Sequence, residues 1–333
     1  MMTFVVFIIA LALFFDFLNG FHDAANSIAT VVSTRVLKPY WAVIWAAFFN
    51  FIAFLFFKLE VANTIGTGII DPSIVNPHLI CAALFGAIIW NIITWYYGLP
   101  SSSSHALFGG LLGAGLARAN GNFDVINITG ITKIFAAIFL SPILGFVFGV
   151  LFMFLIVRLF WRVPRLKADK LFKRLQLVSA ALISLGHGGN DAQKTMGIIA
   201  VLLFSSNLLG DKFYVPIWVV ITCNFVMALG TLFGGWKIVR TMGMRITKLK
   251  PVSGFCAETA SAMTLFIATH FGIPVSTTHT IAGSIFGTGS LFNFSAVRWG
   301  IARRIVWAWV ITVPAAALVA VCFWWMLYFI VGL

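Results

Sequence analysis

Apolar runs broken at matched places by short polar motifs constrain this chain more than any other feature. A helix needs about 20 apolar residues to cross a bilayer. The runs fall at 3–18, 24–34, 41–59, 79–97, 106–117 and 131–157, then at 175–185, 195–209, 213–235, 253–271, 280–292 and 303–331. Several are shorter than a full span and flank Gly- or Pro-containing polar interruptions. Hydrophobic residues make up 61% of the 333 positions and charged residues 9%, against roughly 45–50% and 25% in soluble domains. Mean hydropathy is +1.03. A chain with so little polar surface cannot cover its own core in water. A cytosolic enzyme, a secreted domain and a disordered chain are excluded. An all-α polytopic membrane protein remains. The first run lacks a basic n-region and a small-residue cleavage pattern, so it reads as a span and not as a signal peptide.

The net charge of +13 would suggest nucleic acid in a soluble domain. Here cytoplasmic loops explain it, because membrane proteins gather Lys and Arg there. No nucleic-acid partner is expected. A basic stretch at 158–174, RLFWRVPRLKADKLFKR, separates two sets of runs. This divides the chain into a first repeat at 1–157, a linker at 158–174 and a second repeat at 175–333. With five net crossings per half and the linker inside, seventeen basic residues fall on the cytoplasmic side. They are Arg35, Lys38, the seven of the linker, Lys237, Arg240, Arg245, Lys248, Lys250, Arg298, Arg303 and Arg304. Lys58, Arg118, Lys133 and Lys212 fall outside, and Lys194 lies within a motif. Both termini then face outside, and an odd number of crossings inverts the second half. Cys81, Cys223, Cys256 and Cys322 form no CxxC pair, so neither a disulfide framework nor a zinc site is indicated.

The halves repeat. YGLPSSSSHALFGGLLGAGL at 97–116 matches FGIPVSTTHTIAGSIFGTGS at 271–290 in seven of twenty positions, among them Gly98/Gly272, Pro100/Pro274 and His105/His279. GFHDAANS at 20–27 matches GGNDAQKT at 188–195 in the same order, pairing Asp23 with Asp191. Inverted repeats with interrupted helices near the midplane are the architecture of secondary transporters, whose sites lie between the repeats. The expected fold is therefore two inverted repeats with broken helices or re-entrant hairpins.

Each motif carries a chemical reading beside a structural one. The Pro-Ser/Thr clusters read as half-helix starts, with proline in the first turn and hydroxyls at the N-cap. Two such starts would surround an oxyanion with neutral donors and positive dipole ends. The anion candidates are Ser102, Ser103, Ser104, Ser276, Thr277 and Thr278, with Asn26, Asn190 and Gln193 as further polar contacts. The structural reading is that these hydroxyls cap kinks. Asp23 and Asp191 are intramembrane carboxylates, costly and by default functional. With Asn26, Asn190 and unwound backbone carbonyls they make a hard-cation site for Na⁺, or else they carry a proton. The structural reading is an Asp capping a broken helix. Glu258, in ETASAMTLF, serves either ion coupling or a structural hydrogen bond. Lys194 either neutralises Asp191 or contacts an anion. Asp16, at the end of the first run, reads as interfacial. His22, His105, His187 and His279 are placed either to relay protons or to act as buried donors. Gly109-x-x-x-Gly113 and Gly283-x-x-x-Gly287 read as close helix packing. Neither HExxH nor GxSxG occurs, which argues against an intramembrane enzyme; a channel is the other alternative.

At these motifs the sequence resembles the inorganic phosphate transporter (Pit) family, whose G-A-N-D-V-A-N-like signature occurs once per half. The copies here read GFHDAAN at 20–26 and GGNDAQK at 188–194. They depart at Phe21-His22 and at Gln193-Lys194, as the family's bacterial proton-coupled members do. GLPSSSSH and GIPVSTTH also look like the family's elements, and the likeness runs from about residue 5 to 330. It implies import of inorganic phosphate coupled to H⁺ or Na⁺ through the inner (plasma) membrane. It further implies an inverted-repeat fold with a transport domain and a dimerising scaffold, hence a homodimer in a lipid bilayer. No cofactor is implied beyond bound Na⁺. The family's sulfate permeases, of similar short length, keep sulfate or a metal–phosphate complex as the alternative cargo. Many members carry a long hydrophilic central loop where this chain has only the short basic linker.

Overall fold

The computed structural model describes residues 2–68, 74–125, 127–210 and 212–332. They are all-helical, with twelve α-helices in a sequence that occurs twice. A long helix, α1 (Met2–Ser33), leads into a bent pair, α2 (Pro39–Ile52) and α3 (Glu60–Gly68). Then come α4 (Pro77–Tyr97), a short extended break, α5 (Ser103–Arg118) and α6 (Ile128–Phe160). The same order follows in α7 (Arg165–Ser205), the bent pair α8 (Ile217–Phe233) and α9 (Trp236–Arg240), α10 (Pro251–His270), α11 (Thr277–Ser290) and α12 (Trp299–Val331). The bends are 80° and 62°. Both closing helices contain an internal proline, Pro142 and Pro314. Among the described residues, α1, α4, α6, α10 and α12 are long and apolar enough to cross a membrane alone, and each bent pair passes as one span.

One expectation changes here. The acidic motifs do not break their helices: α1 runs through Asp23 and α7 through Asp191 without interruption. Their carboxylates are satisfied by side chains, so no backbone N–H has to leave the helix to serve them. The 158–174 stretch is mostly helical, since α6 runs to Phe160 and α7 starts at Arg165. α7 carries its polar motif because protein and not lipid surrounds it: every residue from Ile183 to Ala200 is buried.

Matching helices run in opposite directions. Asp16 accepts from Thr195 at 3.0 Å, Thr30 and Ser179 share Glu258, and Thr34 donates to Gln176 at 3.0 Å. Ascending positions in α1 thus meet descending positions in α7. Two apolar clusters flank this crossing. One joins the first half of α1 to the end of α7 and holds α4 and α5. The other joins the second half of α1 to the start of α7 and holds α10 and α11. The α4–α5 and α10–α11 hairpins therefore approach from opposite sides, and their tips meet in a polar layer between the clusters.

Lipid gives helices no hydrophobic drive to associate, so close backbone approach has to hold them together. The glycine repeats supply it across the two halves. A Cβ on Gly109 or Gly113 of α5 would lie 2.4 or 2.3 Å from the main-chain oxygen of Val313 or Ala317 in α12. One on Gly283 or Gly287 of α11 would lie 2.2 or 2.3 Å from that of Pro142 or Phe146 in α6.

Candidate functional site

The G-x-P-x-S-x-x-H pattern has a local cause. Gly98 and Gly272 end α4 and α10 in the left-handed region, at φ +64° and +66°, which glycine enters without a Cβ penalty. The chain then runs extended through the proline. Ser102 and Ser276 cap α5 and α11, accepting from the His105 and His279 N–H at 3.3 and 3.2 Å. The prolines precede the N-cap, and so do not occupy the first turn expected from sequence. Each start leaves its first N–H groups without intrahelical acceptors. The two starts abut: the His105 and His279 rings lie 4.3 Å apart, and His279 stacks on Trp309 at 3.9 Å.

Each half ties its own hydroxyl to its own carboxylate. Ser103 donates to Asp23 at 2.8 Å, and Thr277 donates to Asp191 at 2.8 Å. Asp23 also meets His22 Nδ1 at 2.7 Å, while His22 Nε2 lies 3.1 Å from the Thr94 hydroxyl. Asp191 meets His187 Nε2 at 3.2 Å and accepts from Lys194.

The next pair of contacts crosses between halves. Asn26 donates to Thr277 and Thr278, both at 3.0 Å. Lys194, which matches Asn26, donates to Ser104 at 2.6 Å and to the Val275 carbonyl at 2.7 Å. Ser104 and Thr278 thus accept a hydrogen bond from the opposite half, and each keeps its own hydroxyl hydrogen to donate. Ser102 and Ser276 accept in the same way from their helices. The site's hydroxyls, aspartates, asparagines and His187 are all 3% exposed or less, so this conformation closes them off from solvent. Ligand atoms of Asp23, His187 and Asp191 lie within 4.8 Å of one another. That spacing makes the three a candidate site for one cation.

The structure does not bring every candidate here. Gln193 is turned to the start of α3: its oxygen accepts from the Val61 and Ala62 N–H groups at 3.0 and 3.2 Å, and its nitrogen donates to the Lys58 and Gly189 carbonyls. Its hydrogen-bonding capacity is spent, so it has none left for an anion. Glu258 accepts from Thr30 and Ser179 at 2.5 Å and from Gln176 at 2.9 Å. Thr30 is seven residues from Asp23, about 10 Å along α1, which separates Glu258 from the aspartates. Asn190 donates to Thr269 and the Ile273 carbonyl, and its own oxygen lacks a partner. Asp16 is not interfacial; it is fully buried against Thr195. Sequence reasoning missed Asn19, whose side chain lies 2.6 Å from the Ser103 hydroxyl, and Asn50, 3.3 Å from His187. Asn19 carried a signal, lying one turn before Asp23 on the same helix face.

The model of the phosphate transporter family matches residues 19–320. The chain belongs to that family. A Rhizobium meliloti protein described as "Probable low-affinity inorganic phosphate transporter" is 66% identical over 317 residues, covering 95% of this chain and 94% of its own. A Bacillus subtilis protein with the same description is 48% identical, covering 94% and 93%. A solved structure described as "The sodium-dependent phosphate transporter" superposes with a TM-score of 0.88 over 98% of this chain and all of its own, at 24% identity; it shares the fold. Family and relatives are phosphate transporters and not enzymes, and the chain is a multi-pass membrane transporter.

Proposed function

We propose that the chain is a secondary active symporter that imports inorganic phosphate with H⁺ or Na⁺. The observation that carries this reading is the meeting of two oppositely inserted hydroxyl-bearing helix starts beside a buried aspartate pair. Ser102, Ser104, Ser276 and Thr278 offer hydroxyl hydrogens to the anion, together with the free N–H groups of α5 and α11. Ser103 and Thr277 orient the carboxylates. Asp23 and Asp191 hold the cation, with Asn26 contributing its unpartnered amide oxygen. A cage of neutral donors suits a carrier, which must release its substrate; several buried cations would hold a dianion tightly and be costly without it. Phosphate near neutral pH still carries protons, which sulfate lacks. The aspartates can accept from them, and this favours phosphate.

The antiparallel order of α1 and α7 supports two inverted repeats at 1–157 and 175–333 joined by 158–174. The cytoplasmic orientation of that linker, with both termini outside, is supported by its grouping with other basic segments. The rings of Phe160 and Phe255 both pack on Phe172, and the Arg298 N–H bonds the Ile246 carbonyl at 2.9 Å. An inner-membrane homodimer is the expected assembly.

The test is uptake of radiolabelled phosphate and sulfate into proteoliposomes, with Na⁺ and proton gradients imposed separately. Concentrative phosphate uptake under one of them is expected, together with its loss in Asp23→Asn. Equilibration without accumulation under either gradient would refute symport, and preferential sulfate accumulation would refute the cargo.

A further inference from the structure

The two halves of the site share their hydroxyl–carboxylate bond and differ in fixed charge at one aligned position. Position 26 carries an amide and position 194 an ammonium. Lys194 is 1% exposed. An ammonium has three hydrogens and no acceptor. Its three bonds go to the Asp191 carboxylate, the Ser104 hydroxyl and the Val275 carbonyl. A carboxylate, a hydroxyl and a main-chain carbonyl freed by an extended break are the oxygens that would coordinate an alkali cation. No hydrogen is left for an anion. In the other half Asn26 spends both its N–H groups on Thr277 and Thr278. Its oxygen is buried without a partner, and no ammonium reaches Asp23 among the described residues.

We propose that Lys194 is a tethered cation that permanently fills the Asp191 half of a duplicated cation site, so that a single mobile cation accompanies each phosphate. This rests on the reading of the chain as a cation-coupled carrier. The Lys194–Asp191 pair crosses the cycle as a neutral unit and contributes nothing to the charge moved. The mobile cation binds among Asp23, His187 and the remaining oxygen of Asp191, a cluster with the span of one ion. An asparagine at 194 restores the symmetry with Asn26. It strips Asp191 of its counter-charge, and an unpaired buried carboxylate recruits a second mobile cation.

The test compares full-length wild type and Lys194→Asn in proteoliposomes. Charges moved per phosphate are read from the membrane potential at which net radiolabelled phosphate flux reverses, under Na⁺ and proton gradients of known size. Purified samples are melted in Na⁺ and in choline as a readout independent of transport. Wild type is expected to move one cation per phosphate. Lys194→Asn is expected to move one positive charge more, and in Na⁺ buffer to gain a cation-dependent rise in melting temperature that exceeds any in wild type. Two or more mobile cations per phosphate in wild type would overturn the proposal even if the variant did not fold. So would an unchanged charge ratio and unchanged Na⁺ response in a folded variant. If wild-type flux ignores every cation gradient, the symport reading fails first and this proposal fails with it.

Discussion

Thr278→Val isolates one hydroxyl of the anion site. Thr278 accepts from Asn26 at 3.0 Å, which leaves its single hydrogen free to donate to the substrate. Valine keeps the branched shape, and Asn26 retains Thr277 as an acceptor at 3.0 Å. The main loss is one hydrogen bond to a charged group, about 1.5–3 kcal/mol. That corresponds to a phosphate KM raised about 10- to 150-fold. Ser104→Ala has a larger effect, because it also removes one of the three acceptors of the Lys194 ammonium. The assay is initial-rate phosphate uptake in proteoliposomes under a fixed saturating gradient, with thermal melting of the same samples. A KM for Thr278→Val within twofold of wild type, in a folded protein, would refute the assignment of that hydroxyl to the anion.

Gly283→Val would push a side chain into the Pro142 carbonyl, already 2.2 Å from a Cβ position. Overpacking of this kind costs about 1–3 kcal/mol, so a lower melting temperature is expected; an unchanged melt would mean that α11 and α6 part freely. Glu258→Gln takes the charged acceptor from all three donors, Thr30, Ser179 and Gln176. It is expected to lower the melting temperature while the charge moved per phosphate stays the same, and a changed ratio would place Glu258 in the coupling path. In a cysteine-free variant, a single cysteine within 158–174 should resist impermeant reagents applied outside intact cells, while terminal cysteines react; the reverse pattern would invert the orientation.

Much of the site was legible because it is written twice. Pairing Gly98 with Gly272 and Ser102 with Ser276 exposed two helix starts, and the backbone angle and cap at each bear out why those residue types recur. Asp23 and Asp191 stood out as charges inside apolar runs. The continuity of α1 and α7 was hidden, since glycine- and asparagine-rich motifs read as breaks. What keeps them helical is tertiary: Gly20 would place a Cβ 2.0 Å from the Met227 carbonyl and Gly188 one 2.5 Å from that of Asn50, so glycine serves packing there. The fate of Gln193 was hidden as well. It depends on the bend between α2 and α3, which brings the Val61 and Ala62 N–H groups to it, and no spacing in the sequence encodes that approach. Lys194 and Asp191 were visible as neighbours three apart, but the third partner, Ser104, came only with the crossing of the halves.

The most direct measurement is a structure of the protein with phosphate bound, by crystallography or cryo-electron microscopy. The phosphorus should lie between the starts of α5 and α11, with its oxygens within hydrogen-bond distance, about 2.5–3.0 Å for O–H···O, of the Ser104 and Thr278 hydroxyls. Phosphate held more than one water layer from both hydroxyl clusters would contradict the assignment, whatever uptake showed.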